Sequence, residues 1–280
     1  MNKVPRFIPL LSDTAAKFLI KDENYRWFYE EIIKYKTGIN LEGYKLIDNE
    51  LNTGNKVKDY RTDLIFEKGK RLVNLELNQY VYKYTLAKNR YYALRLAGNG
   101  YLAGEDYVYK NVTQINLNNK IIHDGSKEES KLEYELQDPK YNLVLKEVKI
   151  LEIYLLNYKG IVYNKTNKYD TYISMLTAET FEEMEKIVGD LEEGRKIMDK
   201  LKELGLDDKY GALYDAEIVR KKEINSARRE GKIEGKIEGK AEGKKETTTS
   251  IAKTMLKAGE SVNKVMDYTG LKKKDIMSLM

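Results

Sequence analysis

Two carboxylates and an amide are the residues whose type and spacing suggest chemistry. Asp63 lies in Arg61-Thr62-Asp63-Leu64-Ile65, and Glu76 lies 13 residues later in Val73-Asn74-Leu75-Glu76-Leu77-Asn78. Both stretches are apolar and β-compatible, and the polar Glu67-Lys68-Gly69-Lys70 between them predicts a hairpin turn. Strand alternation puts Asn74, Glu76 and Asn78 on one face and Val73, Leu75 and Leu77 on the other. An acid among Val and Leu needs a partner. Two acids on adjacent strands can hold a divalent cation through oxygen ligands, and that cation can activate a water at a phosphate. Asn78, two residues past Glu76, is placed to orient the water. Spacing alone leaves a second reading open, in which Asp63 and Glu76 are ordinary charges on the solvated face of a hairpin.

Composition narrows the choices in the same direction. Among 280 residues there is no cysteine and one histidine, His123. Disulfides, Cys-ligated zinc, iron–sulfur clusters and thiol nucleophiles are excluded, and a Ser-His-Asp triad would have only His123 as base. Carboxylates, amides, lysines and tyrosines remain, a set suited to hard cations such as Mg²⁺. No apolar run approaches the roughly 18 residues of a membrane span and no leader is visible, so a cytoplasmic protein without a membrane partner is expected.

The elements that must position these residues follow from periodicity and punctuation. Leu10 to Ile20, opened by Ser12-Asp13, and Glu23 to Lys36, closed by Gly38, read as helices. Tyr44 to Leu51, Tyr60 to Phe66 and Leu72 to Leu77 read as strands, Tyr80 to Ala97 as a helix, and Tyr109 to Leu117 as a strand. Leu132 to Leu136 and Leu143 to Leu156 are extended, and helical patterns cover Phe181 to Val188, Leu191 to Leu204 and Ala212 to Arg229. The predicted class is mixed α/β, a sheet flanked by helices, with an α-helical C-terminal tail.

The tail is distinctive. Residues 230 to 244 repeat Glu-Gly-Lys with a period of four, which on a helix stacks glycine on glycine and like charge on like charge. Each glycine weakens a helix by about 1 kcal/mol relative to alanine. The tract should therefore be no stable lone helix. It is expected to be a linker, or an association helix whose glycine stripe admits a second copy of the chain. A break at Thr247 to Thr249 and three short helices, Ser250 to Ala258, Ser261 to Thr269 and Leu271 to Leu279, should follow. Helix, turn, helix is a DNA-binding arrangement, and Lys272, Lys273 and Lys274 would stand at the start of its last helix. Ala216 to Met280 holds 16 basic and 10 acidic residues, so the whole excess of the formal net charge of +5 sits here. Such asymmetry suits a polyanion, as it suits a solvated lysine-rich helix. The segments expected are 1–160 for the candidate site, 161–229 as a helical extension, 230–249 as the repeat and 250–280 as the helical tail.

In order, these residues resemble the PD-(D/E)XK nuclease superfamily, and more narrowly its nuclease family transposases, related to the recombination-promoting nucleases. Ser12-Asp13 followed by Lys17, Asn74-Leu75-Glu76-Leu77, Arg90-Tyr91-Tyr92 ahead of Gly104-Glu105-Asp106-Tyr107, the strand Val112 to Leu117 and the Glu-Gly-Lys repeat carry the similarity, over roughly residues 10 to 155. The resemblance implies a restriction-endonuclease-like core and a Mg²⁺- or Mn²⁺-dependent endonuclease that hydrolyses DNA phosphodiesters in recombination or transposition. Asp63, Glu76 and the backbone carbonyl of Leu77 would hold the metal, with Asp13 and Arg90 accessory. The sequence departs from the pattern at Asn78, where the superfamily has Lys and this family usually Gln, and at Ala16 in place of a Phe. Lys83 or Lys88 on the next helix would supply the missing charge. The departure at Asn78 raises the alternative of a catalytically degenerate nuclease fold that binds DNA or oligomerises.

Overall fold

The computed structural model describes residues 3–47, 64–82, 84–98, 110–120, 130–137, 140 and 143–279. Their contacts divide the chain into Met1–Glu217 and Ile218–Met280. The first unit is mixed α/β. It opens with α1 (Asp13–Lys21) and α2 (Trp27–Thr37), continues through β1 (Lys45–Ile47), β2 (Leu64–Lys68) and β3 (Arg71–Asn78), and crosses by α3 (Thr85–Gly98) to β4 (Asn111–Asn118). The antiparallel pair β5 (Lys131–Gln137) and β6 (Val144–Tyr154) completes one six-stranded sheet in the order β1-β2-β3-β4-β6-β5. A 3₁₀ turn (Leu155–Tyr158) leads into α4 (Lys168–Met175), α5 (Phe181–Val188) and α6 (Glu192–Leu206).

Three central strands, β3, β4 and β6, run parallel, and β2 and β5 flank them antiparallel. Lys68 pairs with Arg71, so the β2–β3 hairpin turns on Gly69-Lys70 alone, and Gly69 takes the φ of +60° that such a turn requires. Because β3 and β4 are parallel, the chain needs a crossover between them, and α3 supplies it.

The helices form where their chemistry predicts. Ser12 caps α1, its hydroxyl accepting from the Ala15 N–H at 3.1 Å, so Asp13 is the first helical residue and not the cap. Gly38, at φ +75°, closes α2. Thr180 caps α5. The structure adds α4, which the sequence reading did not contain; only a short stretch around Ile173 and Met175 marks it.

The largest difference concerns the repeat. One helix, α7 (Asp208–Lys257), runs 50 residues through the whole Glu-Gly-Lys tract and through Thr247 to Thr249 without a break. The linker expectation does not describe this backbone. Helix propagation adds one hydrogen bond per residue fixed, whereas nucleation is the costly step. Both ends of α7 make tertiary contacts, which can offset the cost of nucleation. At its start, Arg6 forms a two-pronged pair with Asp215 at 2.7 and 2.5 Å, and the Phe18 and Tyr210 rings meet edge to face at 4.9 Å. The Glu217 carboxylate accepts the Asp13 and Thr14 N–H groups at 3.2 Å each, satisfying first-turn donors of α1. In the second unit, Ala252 of α7 packs with Val265 and Ile276 of α8 (Val262–Thr269) and α9 (Lys273–Met277). Gly259 and Gly270, at φ +79° and +69°, separate these three helical segments as expected.

Candidate functional site

The face of β3 that carries Glu76 is graded along its length. By alternation it presents Leu72, Asn74, Glu76 and Asn78, and all four are buried. The parallel pairing aligns β4 and β6 beside it, Leu72 with Val112 and Val148 at one end, Glu76 with Asn116 and Glu152 toward the other. At the N-terminal ends of the strands this face is apolar. Toward their C-terminal ends it becomes Gln114, Asn116, Asn118 and Glu152, each fully buried.

Helix α3 lies over this face and matches its gradient. Its buried residues Thr85, Asn89, Ala93 and Leu96 recur every three or four positions, one helical stripe. Leu96 packs with Ile65, Leu72 and Val112, and Ala93 with Val148 and Ile150. The N-terminal half of α3 meets the polar end. Ligand sites in open α/β sheets sit at the C-terminal ends of parallel strands, and this is where the polar residues gather.

Glu76 has no exposed surface, so the solvated-hairpin reading does not describe it. A buried, unpaired carboxylate is unfavourable by several kcal/mol. Lys88 of α3 places its ammonium 3.1 Å from Glu76 Oε2, and the Asn74 amide donates to Oε1 at 3.4 Å. Lys88 Nζ also stands 3.5 Å from Asn78 Oδ1. Lys88, Glu76 and Asn78, three residues singled out in the sequence, thus meet at one point. The ammonium stem remains about two-fifths exposed while the carboxylate is not, so the pair lies at the boundary between core and solvent.

From Glu76 and Asn78 the contacts continue across the sheet. Asn78 Nδ2 donates to Asn118 Oδ1 at 3.1 Å, and Asn118 Nδ2 donates to Glu152 Oε2 at 2.7 Å. Asn74 Nδ2 donates to Gln114 Oε1 at 2.7 Å, Gln114 Nε2 to Asn116 Oδ1 at 2.8 Å, and Asn116 Nδ2 to Glu152 Oε1 at 2.9 Å. Burial pushes the Glu152 carboxyl up to about 7; the Asn118 and Asn116 amides and the positive charge of Arg90 oppose that rise. The guanidinium of Arg90 lies 5.5 Å from the Tyr134 ring centroid.

The other residues singled out in the sequence are placed as follows. Asp63 and Lys83 lie outside the described residues, as does His123. Leu77 is buried on the opposite, apolar face of β3. The backbone N–H of Asp13 donates to Glu217, which gives it a place in the α1–α7 junction. Lys272, Lys273 and Lys274 are exposed at the start of α9, in the second unit. Among the described residues, no three His, Cys, Asp or Glu side chains converge as a metal-binding group. No helix among them is long and apolar enough to cross a membrane.

Sequence reasoning missed Gln114, Asn116, Asn118, Glu152 and Asn89. A signal for the first three was present. Gln114-Ile115-Asn116-Leu117-Asn118 repeats the polar–apolar alternation of Asn74-Leu75-Glu76-Leu77-Asn78, and two strands alternating in phase with uncharged polar residues place those residues side by side when they pair in parallel. Nothing local marks Asn89. Its amide is fully buried with neither Nδ2 nor Oδ1 hydrogen-bonded.

Comparison with protein-family models, with curated proteins and with solved structures finds no match.

Proposed function

We propose that the chain is a metal-dependent endonuclease of the PD-(D/E)XK type, hydrolysing DNA phosphodiesters in recombination or transposition chemistry. The observation that carries this reading is the buried Glu76 beside the Lys88 ammonium and the Asn78 side-chain oxygen, at the C-terminal ends of parallel strands. A mixed α/β order in which three strands, a crossover helix and a further strand follow one another supports the reading. Lys88 answers the departure at Asn78. The charge that the superfamily carries two residues after the glutamate is delivered here from the next helix, to the same carboxylate.

The donor set suits a hard cation in kind. Glu76 offers carboxylate oxygens, Asn78 an amide oxygen, and Asn74 Oδ1 is a buried oxygen without a hydrogen-bond partner. Asp63, Glu76 and the Leu77 carbonyl are the residues that would hold Mg²⁺ or Mn²⁺. When bound, such an ion would polarise a phosphodiester and activate water. Lys88 would hold Glu76 ionised and stabilise charge developing on the phosphate, and Asn78 would orient the attacking water through its oxygen. The basic second unit, with Lys272, Lys273 and Lys274 exposed, is the proposed DNA contact, and the glycine stripe of the repeat, with Gly231, Gly235 and Gly239 exposed, is the proposed face for a second copy of the chain.

One observation favours the second reading, a DNA-binding or oligomerising module without catalysis. Lys88 already neutralises Glu76, so the fold can bury this carboxylate without any metal. Plasmid nicking with and without Mg²⁺, for the native chain, Asp63→Asn and Glu76→Gln, separates the two. Nicking that needs Mg²⁺ and disappears in both variants, at unchanged circular dichroism, supports the nuclease. Absence of nicking and of any Mn²⁺-binding heat in the native chain would leave the module.

A further inference from the structure

Glu152 belongs to β6, 76 residues after Glu76, and touches neither Glu76 nor Lys88 directly. Its two oxygens nevertheless terminate two chains of amides that end on either side of Glu76. An ionised carboxylate only accepts hydrogen bonds, and an amide has a donor end and an acceptor end. Asn118 must therefore turn its nitrogen to Glu152, which turns its oxygen to Asn78. Asn78 must then give its nitrogen to Asn118, and its oxygen is left facing Lys88. The other chain obeys the same rule. Asn116 gives nitrogen to Glu152, Gln114 gives nitrogen to Asn116, and Asn74 gives nitrogen to Gln114 and to Glu76.

We propose that Glu152 is a positioning residue of the Glu76 site: it fixes the polarity of both amide chains, so that Asn78 presents oxygen, and Asn74 nitrogen, to the groups around Glu76. The proposal rests on the reading of Glu76 and Asn78 as members of a cation site. Reversing the first chain would aim the Asn78 NH₂ at an ammonium and at any cation. Reversing the second would aim the Asn74 oxygen at a carboxylate. Lys88, a pure donor, demands the same Asn78 orientation, but at 3.5 Å and from a side chain about two-fifths exposed. Glu152 acts through fully buried contacts of 2.7 and 2.9 Å and is the stronger determinant. Amides aligned head to tail between charged ends also polarise one another, which stiffens the arrangement.

The test is Glu152→Gln in the full chain, at about pH 8.5, where the native carboxyl is ionised. A glutamine puts an NH₂ where one of the two carboxylate oxygens stood, so one of the two donors from Asn116 and Asn118 meets a donor, and reversing that chain is what restores its hydrogen bond. Side-chain amide resonances of Asn78 and Asn74 are followed by ¹H–¹⁵N spectroscopy, assigned by their disappearance in Asn78→Asp and Asn74→Asp. Mn²⁺ affinity is measured by calorimetry. The expected result is a shift or splitting of at least one of the two amide pairs and a loss of about tenfold or more in Mn²⁺ affinity, as for other groups that orient metal ligands. Asn118→Leu, which cuts only the Asn78 chain, should move Asn78 and leave Asn74, and it serves if Glu152→Gln does not fold. Both amide pairs superposing on the native spectrum would overturn the proposal. Shifted amides with native Mn²⁺ affinity would overturn the positioning role. A native chain that binds no Mn²⁺ would refute the nuclease reading, while the spectra would still decide whether Glu152 sets the amide polarity.

Discussion

Replacing Lys88 by methionine keeps most of its aliphatic stem and removes the ammonium that stands 3.1 Å from a carboxylate with no exposed surface. Breaking a fully buried pair by removing one partner destabilises a protein by about 3–5 kcal/mol, because the remaining charge is left uncompensated. Here the lysine side chain is 41% exposed, so water can take part of its place. The Asn74 amide continues to donate to Glu76. We therefore expect a loss of about 2 kcal/mol, between the surface and buried limits. With a urea m-value of about 3 kcal/mol/M, that loss lowers the midpoint by about 0.7 M at unchanged m. The decisive comparison is the cycle with Glu76→Gln. Once the carboxylate is neutral, removing the ammonium should matter little, so the double variant should recover at least about 1 kcal/mol of the summed single losses. Simple additivity of the two single variants would refute the claim that the Lys88 ammonium stabilises the buried Glu76 carboxylate.

Three further outcomes follow from the geometry. The Glu152 carboxyl is raised in the folded protein from 4.5 to about 7, so the folded state binds more protons than the unfolded state between those values. Its contribution to stability is fully present below about 4.5 and is lost as the pH rises through 7, a change of roughly 3 kcal/mol. Urea titrations across this range should show that slope in the native chain and a flatter profile in Glu152→Gln. A Cβ on Gly205 would stand 2.1 Å from the Arg6 carbonyl oxygen, so Gly205→Ala must displace the N-terminal segment from α6 and should lower the thermal midpoint by several degrees. A Cβ on Gly231, Gly235, Gly239 or Gly243 meets nothing within 4 Å, so alanine there should strengthen α7 by about 1 kcal/mol per site, seen as slower amide exchange along the repeat.

The elements around the site were largely legible in the sequence, because each carries its own period. The β2–β3 hairpin, its turn at Gly69, the crossover helix and the strand at Val112 are the elements that alternation and punctuation predict, although Glu67 and Lys68 extend β2 rather than forming the turn, and α3 begins at Thr85 rather than Tyr80. Alternation also predicts the shared face of Asn74, Glu76 and Asn78, although that face proves buried. Burial depends on what α3 brings from elsewhere, and alternation reports sidedness without saying what covers the side. Lys88 was identifiable as a charge on the next helix, but that its side chain reaches Glu76 depends on helix phase, which boundary residues blur. Glu152 was hidden for a different reason. It sits in the nearly continuous apolar run Leu143 to Leu156, and its partners are 34 and 36 residues away. The helical course of the repeat was illegible because local preference opposes it, and the contacts at its two ends lie far from it in sequence.

The amide chains also constrain the order in which the first unit can assemble. β3 and β4 bring all five amides together through α3, a contact of moderate sequence span, but the two donors directed at β6, from Asn116 and Asn118, remain without their acceptor until Glu152 arrives. A sheet lacking β6 would therefore bury unpaired polar groups on the face that α3 must cover, each unfavourable by about 1–3 kcal/mol. Such a partial structure gains little from early docking of α3. The face that gathers polar groups beside Glu76 thus ties the stability of β3, β4 and β6 to one another, although a long connection separates β4 from β6.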